Sequence, residues 1–331
     1  MPAIMTHDFF GKDVYDECFS TIGMTADERD AFLLGNQGPD PLFYTLIDPA
    51  LKDFRNVGDV MHHERPTSLI CAMRLAYEAL DSSDRASGRA YALGFLCHYL
   101  LDSAMHPLVY AEQYAFCDAG VEGLDRSAGS YVHAEIERDF DEMVLYTKLH
   151  RTVQTYKPYR EVLRLDEPAL EAVGRMYALV LQSVYGLYAP QNLYVKAVHD
   201  FRVVQHLFYS KNGQKAGVLG TVEKLATRKP YSLERAMAHR ARAEETSDFD
   251  NRGHASWTNP FTKEESTDSF WDIYDAARKR ASSALALFAD DSFTLAEAAS
   301  SRIASTSRAS QRKVKGINYA SGLGRIRRAA I

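Results

Sequence analysis

Three side chains able to bind a metal or carry a proton recur every four residues in His98-Tyr-Leu-Leu-Asp102-Ser-Ala-Met-His106. At roughly 100° per residue, each four-residue step on a helix drifts only about 40°, so all three lie on one stripe. Phe95, Leu96, Leu100, Leu101 and Met105 surround them, which predicts a mostly buried helix. A carboxylate and two imidazoles on such a helix are costly unless paired or metal-bound. Pro107 is expected to end the helix just past the stripe. A second helical stretch carries His133 and Glu137, again four apart and facing the same way. An imidazole and a carboxylate at that spacing form a common two-point grip on a divalent metal, with zinc the first candidate. A His–Glu pair on a solvated helix face is the alternative.

Three further candidates lie upstream, in loops or at helix edges. His7 is followed by Phe9, Phe10 and Gly11, and Asp40 sits in the turn-rich Gly35-Asn-Gln-Gly-Pro-Asp-Pro41. His62 and His63 adjoin Met61, before the helix that Pro66 introduces. Seven of the eleven histidines fall in the first 150 residues, and a nitrogen and oxygen donor set without cysteine suits hydrolytic better than structural zinc. The remaining His150, His199, His206, His239 and His254 have no carboxylate at ligand spacing and read as packing or surface residues.

The elements that must position these groups read as helices. Apolar residues recur at helical spacing over 66–81, 86–105, 130–149, 168–188 and 191–209, with a further helix at 267–289. Gly35–Pro41 and Asp118–Gly129 are expected loops, and alternating strand patterns are scarce. The fold class is therefore all-α. The chain of 331 residues is 46% hydrophobic and 25% charged, an ordinary balance for a globular protein, and its net charge of −5 excludes a general nucleic-acid binder. Its four cysteines are scattered, which fits reduced thiols better than a disulfide framework. No segment reaches the roughly 20 apolar residues of a membrane span, and the N-terminus lacks the basic and apolar regions of a secretion signal, so a cytoplasmic, soluble protein is expected. Residues 296–331 hold eight Lys/Arg against one acid and read as a flexible basic tail, either merely solvated or able to touch anionic membrane or nucleic acid.

The ordered motifs Thr6-His7 with Phe10-Gly11, Gly38-Pro39-Asp40, Met61-His62, Gly94-Phe with His98-x3-Asp102-x3-His106-Pro107, and His133-Ala-Glu-Ile-Glu137 resemble the zinc-dependent phospholipase C family. The resemblance is nearest to that family's cytoplasmic bacterial members. It covers residues 1–150 best, extends to about 225, and implies a helical bundle enclosing a multinuclear zinc site. Carried over, the resemblance gives one zinc to Asp40, His62, His98 and Asp102 and a second to His106, His133 and Glu137. A third would use His7, with Asp102 bridging. The zinc count it implies is two, and up to three. It also implies hydrolysis of a phosphate diester or phospholipid by metal-activated water, which Asp40 would both ligate towards and orient. The organisation expected is a catalytic domain over 1–225, an extension with a C-terminal helix over 226–295, and the basic tail over 296–331. Two alternatives stand beside this reading: a zinc nuclease or nucleotidase of the same fold, marked by base-stacking aromatics beside the site, and a non-catalytic, metal-binding, membrane-associated interaction protein.

Overall fold

The computed structural model describes residues 3–45, 48–120, 125–209 and 236–290. The described residues form ten α-helices: α1 (Ile4–Ile22), α2 (Ala26–Gly35), α3 (Val57–His63), α4 (Pro66–Glu78), α5 (Arg85–Asp118), α6 (Gly129–Leu149), α7 (Pro158–Glu161), α8 (Glu167–Tyr185), α9 (Leu193–Phe208) and α10 (Phe270–Ala289). The only strands described are the two-residue antiparallel pair β1 (Trp257–Thr258) and β2 (Glu265–Ser266). The fold is all-α, as the periodicity predicts. No described helix is long and apolar enough to cross a membrane. The basic tail over 296–331 lies outside the described residues.

One helix differs from expectation. Pro107 does not end α5, which runs on to Asp118 with the proline inside it. An interior proline removes one backbone hydrogen bond and costs about 3 kcal/mol. Leu108 and Val109, next in the chain, are both buried. Burial of two such side chains is worth about 1.5–3 kcal/mol each, enough to carry the helix through.

The chain divides into two compact units. The second unit takes its described residues from 11–103, 163–202 and 278–290. Within it, α2 and α5 meet backbone to backbone at two glycines. A Cβ on Gly35 would overlap the Tyr91 carbonyl, and one on Gly94 would overlap the Phe32 carbonyl. That approach lays the turn after α2 against α5. The turn is locked from the other side by Tyr91 on α5, Tyr177 on α8 and Tyr194 on α9, all fully buried. Tyr177 and Tyr194 donate to the Gly38 carbonyl at 2.9 and 3.1 Å, and the hydroxyl of Tyr91 lies 2.8 Å from each of theirs. Burial pushes all three phenols up from their ordinary pKa, so they remain neutral donors.

The first unit takes its described residues from 3–10, 104–162 and 236–277, together with 203–209. Its centre is α6, whose Ile136, Phe140, Met143 and Val144 are buried, with Phe140 against Phe270 at 4.6 Å between ring centroids. The polar side of α6 is buried too. Asp141 accepts the backbone N–H of Met5 and of Thr6, at 3.1 and 2.7 Å, and the Thr6 hydroxyl at 2.8 Å, so it caps the start of α1. Asp139 and Glu142 hold a strap over 239–247: Arg240 pairs with both, while Arg242 and Ser247 bond Asp139.

Candidate metal-binding sites

The second unit gathers four of the predicted residues. His98 and Asp102 come from α5, His62 from the last turn of α3, and Asp40 opens the short 3-10 turn Asp40–Tyr44. The Nε2 of His62 lies 2.9 Å from Asp40 Oδ1 and 3.9 Å from Asp102 Oδ2. The Nε2 of His98 lies 3.5 Å from Asp102 Oδ2 and 4.0 Å from Asp40 Oδ1. Donors bound to one tetrahedral zinc at about 2.0–2.1 Å stand about 3.3 Å apart, and His62, His98 and Asp102 bring donor atoms within 4.8 Å of one another, close enough to be a candidate group for one ion.

Their orientation is set by backbone. His62 donates Nδ1–H to the Gly58 carbonyl at 2.7 Å, and His98 donates Nδ1–H to the Asn36 carbonyl at 3.2 Å. In the neutral ring each bond selects the tautomer whose Nε2 can ligate, and that atom is aimed at the carboxylates, as metal-ligating imidazoles are usually supported. Tyr99 donates to the Met61 carbonyl at 2.8 Å and so holds the end of α3 beside α5. Gly38, at φ +53°, packs on His98 so closely that a Cβ would enter the imidazole ring. The neighbouring His63 points elsewhere, with Nδ1 2.9 Å from the carbonyl and 3.4 Å from the carboxylate of Asp59 on its own helix.

The first unit gathers three more. His106 from α5 and His133 and Glu137 from α6 bring their donor atoms within 4.8 Å of one another. Both imidazole Nε2 atoms face Glu137 Oε1, at 3.7 Å from His106 and 3.2 Å from His133. His133 donates Nδ1–H to Gln113 Oε1 at 2.9 Å. Burial lowers the pKa of the His133 imidazole, favouring the neutral form that ligates. Burial works against the charge on Glu137, yet the facing imidazoles of His133 and His106 help to hold that carboxyl well below the usual range. The pair is therefore no solvated helix-face contact. His7 is buried in the first turn of α1 and does not join this group.

Several residues at these sites were missed by sequence reasoning. Tyr110, Gln113 and Tyr114 continue the stripe of His98, Asp102 and His106 and would have been seen had α5 not been expected to end at Pro107. The Tyr110 ring lies 5.1 Å from His133, 5.9 Å from Tyr114 and 5.3 Å from Phe261, which the β1–β2 hairpin supplies. The Arg126 guanidinium stacks 4.1 Å from the Tyr114 ring. Four histidines expected to lack a carboxylate have one: His150, His199 and His254 lie within 3.7 Å of Glu245, Glu167 and Asp272, and His239 Nε2 is 2.9 Å from Asp141 Oδ2. The last two are 98 residues apart, and ligand-spacing rules see only neighbours on one helix.

Comparison of the chain with protein-family models, curated proteins and solved structures found no match. The likeness to the phospholipase C family therefore rests on the ordered motifs alone.

Proposed function

We propose that the chain is a zinc-dependent hydrolase of phosphoric esters, of the phospholipase C-like kind that its motifs resemble. The observation that carries this reading is the donor chemistry: imidazole and carboxylate donors without cysteine gather at His62, His98 and Asp102, with Asp40 2.9 Å from His62, and at His106, His133 and Glu137, each group with a histidine oriented through its second ring nitrogen. Zinc held by such donors lowers the pKa of bound water to about 7 and neutralises charge on a phosphate ester. The chain's own residues set the rest. Asp40, fixed by the phenol-locked turn, would help to hold the metal and orient the attacking water. His62 and His98 donate Nδ1–H to the carbonyls of Gly58 and Asn36, which leaves Nε2 of each neutral ring to ligate. His106, 30% exposed at its side chain, gives the three-donor group an open side, where an ester could enter.

Inductively coupled plasma analysis of chain purified without chelator, beside Asp102→Ala, tests the reading. The expected result is at least two zinc ions per chain, falling by one or more in the variant, with hydrolysis of bis(p-nitrophenyl) phosphate lost alongside. Less than one tightly held metal would overturn it and leave a non-catalytic protein.

A second reading, a zinc nuclease or nucleotidase, is favoured by the aromatic row Tyr110, Tyr114 and Phe261 with Arg126, which runs from His133 along α5. Stacking of a base on one such ring is worth about 1–3 kcal/mol. On that reading Tyr110→Ala slows hydrolysis of single-stranded DNA about tenfold and leaves bis(p-nitrophenyl) phosphate unaffected. If phospholipid micelles are cleaved and DNA is not, the phospholipase reading stands alone.

A further inference from the structure

The loop over 249–270 follows the part of the chain that resembles the phospholipase C family, yet within the first unit it reaches the three-donor group. Asn251 closes its base. The Nδ2 of Asn251 lies 3.0, 3.2 and 3.1 Å from the carbonyls of Ala255, Thr267 and Asp268, and its Oδ1 accepts from the Ala255 N–H at 3.0 Å. Trp257 on β1 donates Nε1–H to the Asp268 carbonyl at 3.0 Å. At the tip, Asn259 Oδ1 accepts from the N–H groups of Phe261 and Thr262 at 2.9 and 3.2 Å, an Asx turn that fixes the backbone at Phe261.

This loop is anchored on both helices that supply the donors. At its end, the Phe270 N–H donates to the Asp250 carbonyl at 2.8 Å, and the buried Phe270 ring packs on Phe140 of α6. At its tip, the half-buried Phe261 meets Tyr110 of α5 edge-on, with 5.3 Å between centroids and 83° between planes, while Thr262, Lys263, Glu264 and Glu265 are exposed. Tyr110 stands one helical turn beyond His106, so the two side chains are neighbours on α5. Its ring centroid is 5.9 Å from that of His106 and 5.1 Å from that of His133, and the two imidazoles are 5.6 Å apart. One phenol ring therefore borders both histidines of the group, and Phe261 backs it. Aromatic pairs at such separations favour some relative orientations over others.

Resting on the zinc-binding reading of the three-donor group, we propose that Tyr110 and Phe261 are positioning residues for it. The hairpin holds Tyr110 through Phe261, and Tyr110 holds the imidazoles of His106 and His133 at the angle that turns both Nε2 atoms towards Glu137. Gln113 sets the tautomer of His133, and Tyr110 sets the tilt of both rings. Neither Tyr110 nor Phe261 is a ligand. The loop over 249–270 thus belongs to a metal site whose ligands all lie far earlier in the chain.

Zinc affinity of the full chain, measured by competition with a chromophoric chelator, tests the proposal through two deletions of aromatic contact between this loop and α5. Phe261→Ala should weaken one zinc about two- to tenfold, the worth of one aromatic pair, and leave the other unchanged. Phe249→Ala removes the contact with Phe116, 6.2 Å between centroids and away from the histidines, and should leave both ions unchanged. Phe261→Tyr keeps the ring and should restore wild-type affinity. In cobalt-substituted protein, Phe261→Ala should shift the visible absorption of one ion only, a change that general loosening of the fold would not confine to one site. Excess zinc refills the group in every variant, so the effect is read in affinity and not in hydrolysis at saturating metal. Equal weakening by Phe249→Ala, or two zinc ions held as tightly in Phe261→Ala as in wild type, would overturn this proposal alone. Less than one metal in the wild-type chain would overturn it together with the hydrolase reading.

Discussion

The two donor groups draw on the same helix, α5, yet they are built on different plans. Asp40, His62, His98 and Asp102 come from three separate stretches of chain, and both histidines are oriented by backbone carbonyls, Gly58 and Asn36. His98 is wholly buried and Asp40 nearly so. Among the described residues the other group has three donors, from two helices, and orients His133 through a side chain, Gln113. Closed sites with four protein ligands hold a metal, whereas three ligands and an open position leave room for water and substrate. The difference teaches where mutation can reach. A histidine tied to a carbonyl is positioned by the fold itself, while one tied to a glutamine can be released by a single substitution.

The sharpest way to break this comparison is His98→Ala. Removing the buried imidazole takes a ligand from the four-donor group and leaves two carboxylates facing His62 alone. We expect one zinc equivalent to be lost by elemental analysis and diester hydrolysis to fall by more than a hundredfold, beyond the usual effect of an outer-shell change. Retention of the full zinc complement would show that the four residues do not act as one site. Next in size is Gln113→Ala. It leaves every ligand in place but frees the His133 ring, and outer-shell losses of this type cost about 10–100-fold in metal affinity. Competition with a chromophoric chelator should show that weakening in one zinc only. A loss shared equally by both ions would mean that the two groups are not separately supported.

How far these plans could be read from sequence follows from the same contrast. The stripe of His98, Asp102 and His106, and the pair His133 and Glu137, were legible because a helix turns spacing into direction. Asp40 and His62 were legible as candidates only. Their meeting depends on the Gly35 and Gly94 crossing and on three tyrosines closing on the Gly38 carbonyl, none of which has a local signature. Pro107 misled because its cost is local while its compensation, the burial of Leu108 and Val109, is tertiary. That error also hid Tyr110, Gln113 and Tyr114. Asp139, Asp141 and Glu142 were not singled out in the sequence. They are buried because His239, Arg240, Arg242 and Ser247, about a hundred residues on, return to meet them.

That acidic face of α6 gives the smallest of the expected effects. Burial alone would raise the Asp139 pKa, but the bonds from Ser247 and Arg242 and the charge of Arg240 outweigh it and lower the carboxyl below its ordinary 3.8. A carboxyl with a depressed folded pKa stabilises the fold above its unfolded pKa and ceases to do so as the pH falls through the folded value. Asp139→Asn should therefore lower stability by about 1.5–3 kcal/mol near pH 7, the range for a hydrogen bond to a charged group. The gap in Tm between variant and wild type should narrow as the pH falls below the ordinary carboxyl range and the wild-type carboxyl takes up its proton. Both donor groups lie outside this network, so the zinc content of Asp139→Asn at pH 7 should match wild type. A Tm gap that does not narrow on acidification would assign the loss to packing rather than charge, and a lost zinc would tie the strap over 239–247 to the three-donor group on α6.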